Sequence, residues 1–180
     1  NNTNPHHYYV AGAVCGSWWM GAPDADTGTP HSMMYDGTPN GYTILKLYGN
    51  KYSLRYKGFG KPADHQMNIY TPDEITIAEL PATDVIVNVF AASERAIVQM
   101  KIDNTQWLPM TFTTASDPHF VNMVKWEEAN NINRVNWAKH PRQLHIWKTS
   151  LPDNLSEGVH VIEVKSTDIF GQTFTAKRLI

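Results

Sequence analysis

The residues of this chain best suited to chemistry lie in two short blocks, Cys15-Gly16-Ser17-Trp18-Trp19 and Asp36-Gly37-Thr38-Pro39-Asn40-Gly41-Tyr42. A carboxylate and an amide beside two indoles suit recognition of a phosphate- or sugar-bearing ligand. The rings supply apolar area with one N–H each, and the polar groups supply direction. Neighbouring residues on a strand point to opposite faces, so one half-buried sheet cannot hide both Trp18 and Trp19. One indole must then fill a pocket, meet another domain or bind a ligand. Trp18, Trp19, His31, Asp36, Asn40 and Tyr42 are the candidate ligand or interdomain contacts, with Met33 and Met34 at the edge. The plainer reading of 36–41 is a turn-rich loop folded on itself, Asp36 bonding nearby amides and Gly41 taking positive φ. For Met and Trp the plainer reading is core filling.

Other reactive-looking groups have cheaper explanations. Asp24 and Asp26 alternate as in a calcium loop, but the later acidic ligands of an EF-hand do not follow, which leaves a solvated glycine-rich loop. His6 and His7 diverge if they sit on a strand, and no further ligand follows at metal spacing. Asp117-Pro118-His119 reads as Asp-x-His, one ligand pair of binuclear phosphoesterases, yet such sites need several more ligands, and helix capping explains Asp117 more simply. Ser17 and Cys15 lack a nucleophile elbow and an assignable base. No metal site and no catalytic residue is therefore assigned within this chain.

The elements that must position these residues are mainly β. With 42% apolar, 11% aromatic and 18% charged residues the composition is globular, and no apolar run is long enough to span a membrane. A net charge of −2 without a local basic cluster excludes the electrostatic footprint of a nucleic-acid binder. The single Cys15 excludes an internal disulfide framework. Thr43–Tyr48 and Lys51–Tyr56 flank Gly49-Asn50 and predict a hairpin. Strands are expected at His7–Val14, Gln66–Tyr70, Asp84–Phe90, Ala96–Ile102, Leu144–Lys148, Val159–Ser166 and Thr173–Leu179, the last two joined by a turn at 168–171. Ser116 or Asp117 with Pro118 predicts the start of one helix over His119–Asn130. Strands joined by short turns predict a β-sandwich. We divide the chain into a β and loop region at 1–80 carrying both motif blocks, and an immunoglobulin- or fibronectin-like sandwich at 81–180, together forming one compact domain. The cysteine pair of antibody domains is missing, which leaves Trp147 as a candidate core filler.

Taken in order, Cys15-Gly16-Ser17-Trp18-Trp19, Asp36 to Tyr42 and Tyr52-Ser53-Leu54-Arg55-Tyr56-Lys57 resemble the C-terminal domain of bacterial calcineurin-like phosphoesterases. Asn88-Val89-Phe90, Leu144-His145-Ile146-Trp147-Lys148, Leu151-Pro152, Gly158-Val159-His160, Asp168, Phe170-Gly171 and Phe174 are similar to that domain's closing strands, so the resemblance spans nearly the whole chain. It implies a non-catalytic accessory domain behind an N-terminal metallophosphoesterase domain of the same polypeptide. Such proteins are usually exported by Bacteroides-type bacteria, to the periplasm or cell surface. The divalent metal pair and its ligand motifs are then expected in that other domain, and the tryptophans and the Asp-Gly loop are expected to face it. The alternatives are a sandwich module that binds carbohydrate or another surface ligand, and a self-associating structural protein.

Overall fold

A computed structural model describes residues 6–12, 14–16, 21–23, 26, 28–132 and 143–180. Strands β1 (Gly41–Tyr48) and β2 (Lys51–Gly58) form the expected hairpin, paired from Gly41↔Gly58 to Tyr48↔Lys51. Gly49 turns it at φ 59°. Positive φ at the first loop residue alone is the type II′ pattern, whose twist matches that of the two strands.

The sandwich is built from β3 (Met67–Tyr70), β4 (Asp84–Val89), β5 (Ile97–Ile102), β6 (Leu108–Pro109), β7 (Thr111–Ala115), β8 (Gln143–Ser150), β9 (Val161–Thr167) and β10 (Thr173–Leu179). One sheet runs β3-β4-β8-β7 and the other β10-β9-β5-β6. All of these pairings are antiparallel. In chain order this is the A-B-E-D sheet facing the G-F-C-C′ sheet of an immunoglobulin-like sandwich. A short 3₁₀ helix, Ile77–Ala82, bridges β3 and β4, and the α-helix α1 (Pro118–Ala129) lies between β7 and β8.

Alternation explains the core. Val85, Val87, Val98, Met100, Ile162 and Val164 point between the sheets and are buried, while their neighbours along β5 and β9 are partly exposed. Trp147, 2% exposed, fills the core from β8 and packs edge-on to Phe112 at 5.5 Å. Arg178 of β10 closes one side of the sandwich by donating to the Thr71 carbonyl at 2.8 Å and pairing with Asp73 at 2.7 Å.

One expected strand is absent. None of the described residues in 6–14 is in a strand, although Tyr8 and Val10 have strand-like types. A strand needs a neighbouring ladder to satisfy its backbone. This segment is instead held through side chains, the Tyr9 hydroxyl on Thr43 Oγ1 at 2.6 Å and the His7 ring on Tyr52. The helix begins one residue earlier than expected: Asp117 accepts from the Phe120 N–H at 2.9 Å, with Pro118 in the first turn.

At the opposite end of the sandwich His160 ties the start of β9 to the turn after β5. Its Nε2–H donates to the Ser156 carbonyl at 2.9 Å, and its Nδ1 lies 2.7 Å from the Asp103 carboxylate. The Asp103 carboxylate and the Ser156 carbonyl hold the imidazole above its ordinary value, and the same bond with the Val161 N–H holds the Asp103 carboxyl below its own. A raised histidine pKa stabilises fully below the unfolded-state value and loses that contribution as pH rises through the folded-state value. The melting-temperature gap between the natural chain and His160→Gln is thus expected to be widest in mildly acidic buffer and to shrink as pH is raised past neutrality. It should also shrink when pH falls through the depressed Asp103 value. A gap constant across a scanning-calorimetry pH series would show that this pair does not link folding to protons.

Candidate functional site

The 35–38 turn is seated against the outer face of the β3-β4-β8-β7 sheet by a buried polar chain. Asn88 of β4 is fully buried and donates through Nδ2 to the Asp36 carbonyl at 2.6 Å and to Asp117 Oδ2 at 2.8 Å. Because that amide nitrogen donates twice, Oδ1 is the acceptor facing His145 Nδ1 at 2.8 Å, so Nδ1 of His145 carries a proton. The other ring nitrogen, Nε2, lies 3.3 Å from Asp36 Oδ2. Asp36 Oδ1 accepts from the Thr38 N–H at 2.9 Å, an Asx-type turn. One carboxylate, one amide, one imidazole and a helix cap are thereby joined without a gap.

Electrostatics follow from this packing. Burial alone would raise the Asp36 carboxyl, but its bond and charge interaction with His145, together with Thr38, outweigh it and the carboxyl is held below its usual value. Burial pushes the Tyr56 phenol up, with Asp36 and Tyr9 adding to it, and the Tyr56 hydroxyl donates to the Pro39 carbonyl. Burial and the adjacent Asp117 carboxylate raise Tyr70 likewise. Both phenols therefore serve as neutral donors.

Asp36 and His145 form part of the wall of a cleft of about 600 Å³ between the hairpin, the 7–12 segment and the end of the sandwich. Tyr9, Tyr56, Phe90 and Phe170 line it, and Arg55 and Ser166 contribute polar groups. Below, α1 turns Phe120, Val124 and Glu127 inward at helical spacing. Phe120 and Val124 pack with Met33, while the buried Glu127 carboxylate accepts from the Ala22 N–H at 3.3 Å and so anchors the incoming chain.

Of the candidate contacts among the described residues, Asp36 lines the cleft, and Met34, expected at its edge, lines it too. Asn40 faces back along its own loop, donating to the Ser32 carbonyl at 3.1 Å. His31 is exposed and its backbone pairs with Gly21 and Ala22. Tyr42 is exposed on β1. Trp18 and Trp19, like Ser17 and Asp24, lie outside the described residues. Met33 and Met34 are buried. Among the described residues no three His, Cys, Asp or Glu side chains converge as metal ligands. Asp117 faces inward to Asn88 while His119 is exposed, so they do not act as a ligand pair. Sequence reasoning missed Asn88 and His145. Their one signal was a polar residue within a buried strand, which demands partners if its face is covered.

This geometry defines an immunoglobulin-like sandwich whose mixed aromatic and polar cleft lies under an appended hairpin. The chain belongs to the family described as the C terminal of calcineurin-like phosphoesterase, whose model matches residues 8–174. No curated protein and no solved structure matched it.

Proposed function

We propose that this chain is a non-catalytic accessory domain that docks on the calcineurin-like phosphoesterase domain of its own polypeptide and shapes the approach to that domain's substrate cleft. The divalent metal pair then belongs to the partner domain. An exported setting, periplasmic or at the cell surface, is part of the same reading and rests on the sequence resemblance.

The observation that carries the docking role is the hairpin. A two-stranded ribbon is marginal by itself. It is held by Tyr56 against Phe90 and, near its tip, by Tyr52 against Phe170, but Leu45 and Leu47, alternate residues on one face of β1, are 55% and 71% exposed. Tyr42 and Tyr48 expose apolar area on the other face of β1, and Phe59 does so just beyond β2. Such a patch on a domain tied to another domain supports a contact surface. In the two-domain protein, Leu45→Asp with Leu47→Asp is expected to remove about 2–4 kcal/mol of interdomain stabilisation, two leucine burials' worth. In the 180-residue chain alone the same change should stay within about 0.5 kcal/mol. Calorimetry of both proteins, with limited proteolysis across the junction, measures this. Superimposable profiles for the natural and doubly substituted two-domain protein would remove the hairpin from the interface.

A further inference from the structure

We propose that the cleft beneath the hairpin is a binding site for a neutral saccharide unit, stacked on its aromatic walls and hydrogen-bonded at its polar side. The volume of about 600 Å³ falls within the range of small-molecule sites. Its aromatic walls are braced. Tyr52 meets Phe170 edge-on at 5.6 Å, with His7 stacked on Tyr52 at 5.7 Å, and Tyr56 meets Phe90 at 6.2 Å. Rings fixed this way present faces and edges without a further entropy cost on binding.

The polar groups select among ligands. Three carboxylates (Asp36, Glu94 and Asp168) line the cleft against one guanidinium, Arg55, and two imidazoles, His7 and His145. His145 already faces Asp36. Asp168 is turned inward, accepting from the Phe170 and Gln172 N–H groups at 2.8 Å each. The wall therefore has no surplus of positive charge, which disfavours a phosphate or carboxylate ligand. Buried polar edges disfavour a hydrocarbon chain, which would leave them unpaired. A sugar ring satisfies both conditions. Its C–H face lies on aromatic rings and its hydroxyls both donate and accept. Among the described residues the buried Arg55 Nε–H has no partner, and Ser166, 3% exposed, lines the same wall. Arg55 offers a donor, Asp36 an acceptor, and Ser166 either.

This site is separate from the docking patch, because Leu45 and Leu47 do not line the cleft. The test is a titration of the ¹⁵N-labelled 180-residue chain with methyl glucoside, methyl galactoside and methyl N-acetylglucosaminide, with inorganic phosphate as the charged comparison. At least one glycoside is expected to shift amides of 89–96 and 166–174 saturably, and phosphate is not. Phe170→Leu, which keeps apolar bulk but loses the ring face, should weaken binding about tenfold. Arg55→Gln should weaken it too, while Tyr48→Ser, on the other face of β1 and outside the cleft lining, should leave it unchanged. Silence from all three glycosides at those amides would overturn the assignment. So would shifts with phosphate alone, or undiminished binding by a folded Phe170→Leu chain.

Discussion

Replacing Asn88 with leucine is expected to destabilise the 180-residue chain by about 3–5 kcal/mol, because it takes a hydrogen-bond partner from three polar atoms at once. Leucine nearly matches asparagine in volume, so a cavity is not the cause. The loss comes from the Asp36 carbonyl, Asp117 Oδ2 and His145 Nδ1, which the Asn88 amide meets at 2.6, 2.8 and 2.8 Å in a fully buried position. Water has little room to replace an amide that is fully enclosed. The measurement is urea unfolding, where the midpoint should fall with the slope unchanged. Combining Asn88→Leu with Asp117→Ala should cost less than the sum of the two, since both break the same bond. A loss below about 1 kcal/mol would mean that these partners find other hydrogen bonds and that the chain of polar groups does not hold the 35–38 turn.

The parts of this fold that were legible in the sequence are those whose cause is local. Gly49-Asn50 between two alternating runs dictates a hairpin wherever it stands, and Asp117-Pro118 dictates a helix start. The buried valines of β4 alternate with their neighbours up to Val87, as two packed sheets require. The short strands β6 and β7 escaped notice because Pro109 and a threonine-rich stretch carry little apolar alternation, and only their pairing with β5 and β8 makes them strands. The 7–14 segment shows the converse. Strand-like residues without an adjacent edge to bond stay irregular and bind through Tyr9 and His7. The candidate site was half visible for a related reason. Asp36 stood out in its turn, but Asn88 and His145 are polar residues of strands whose own sequence shows no partner for them. Nothing local tells that the Asp36 turn, 52 residues before Asn88, folds over that face of the sheet. Long-range coverage converts a bland polar residue into an obligatory bond.

That coverage is close enough to make Gly37 the position least tolerant of a side chain. Gly37 sits at φ 70°, and a Cβ placed there would lie 2.0 Å from Asp117 Cγ and 2.3 Å from its Oδ1. Gly37→Ala therefore combines the left-handed penalty of about 1–2 kcal/mol with displacement of a buried, doubly bonded carboxylate, and about 3–5 kcal/mol in all is expected. Gly49→Ala is the internal comparison. Its φ is 59° but no atom lies within 4 Å of the added carbon, so only the backbone penalty of about 1–2 kcal/mol remains. The two variants separate strain of the chain from intrusion into the seat. Because the displaced carboxylate both caps α1 and holds Asn88, Gly37→Ala should also lower helical circular dichroism and weaken protection of the Phe120 amide in hydrogen exchange. Gly49→Ala should do neither. Equal losses for the two glycines, with the Phe120 amide equally protected in both, would mean that the turn does not rest on Asp117, and with it the link from the helix cap through Asn88 to the cleft would fail.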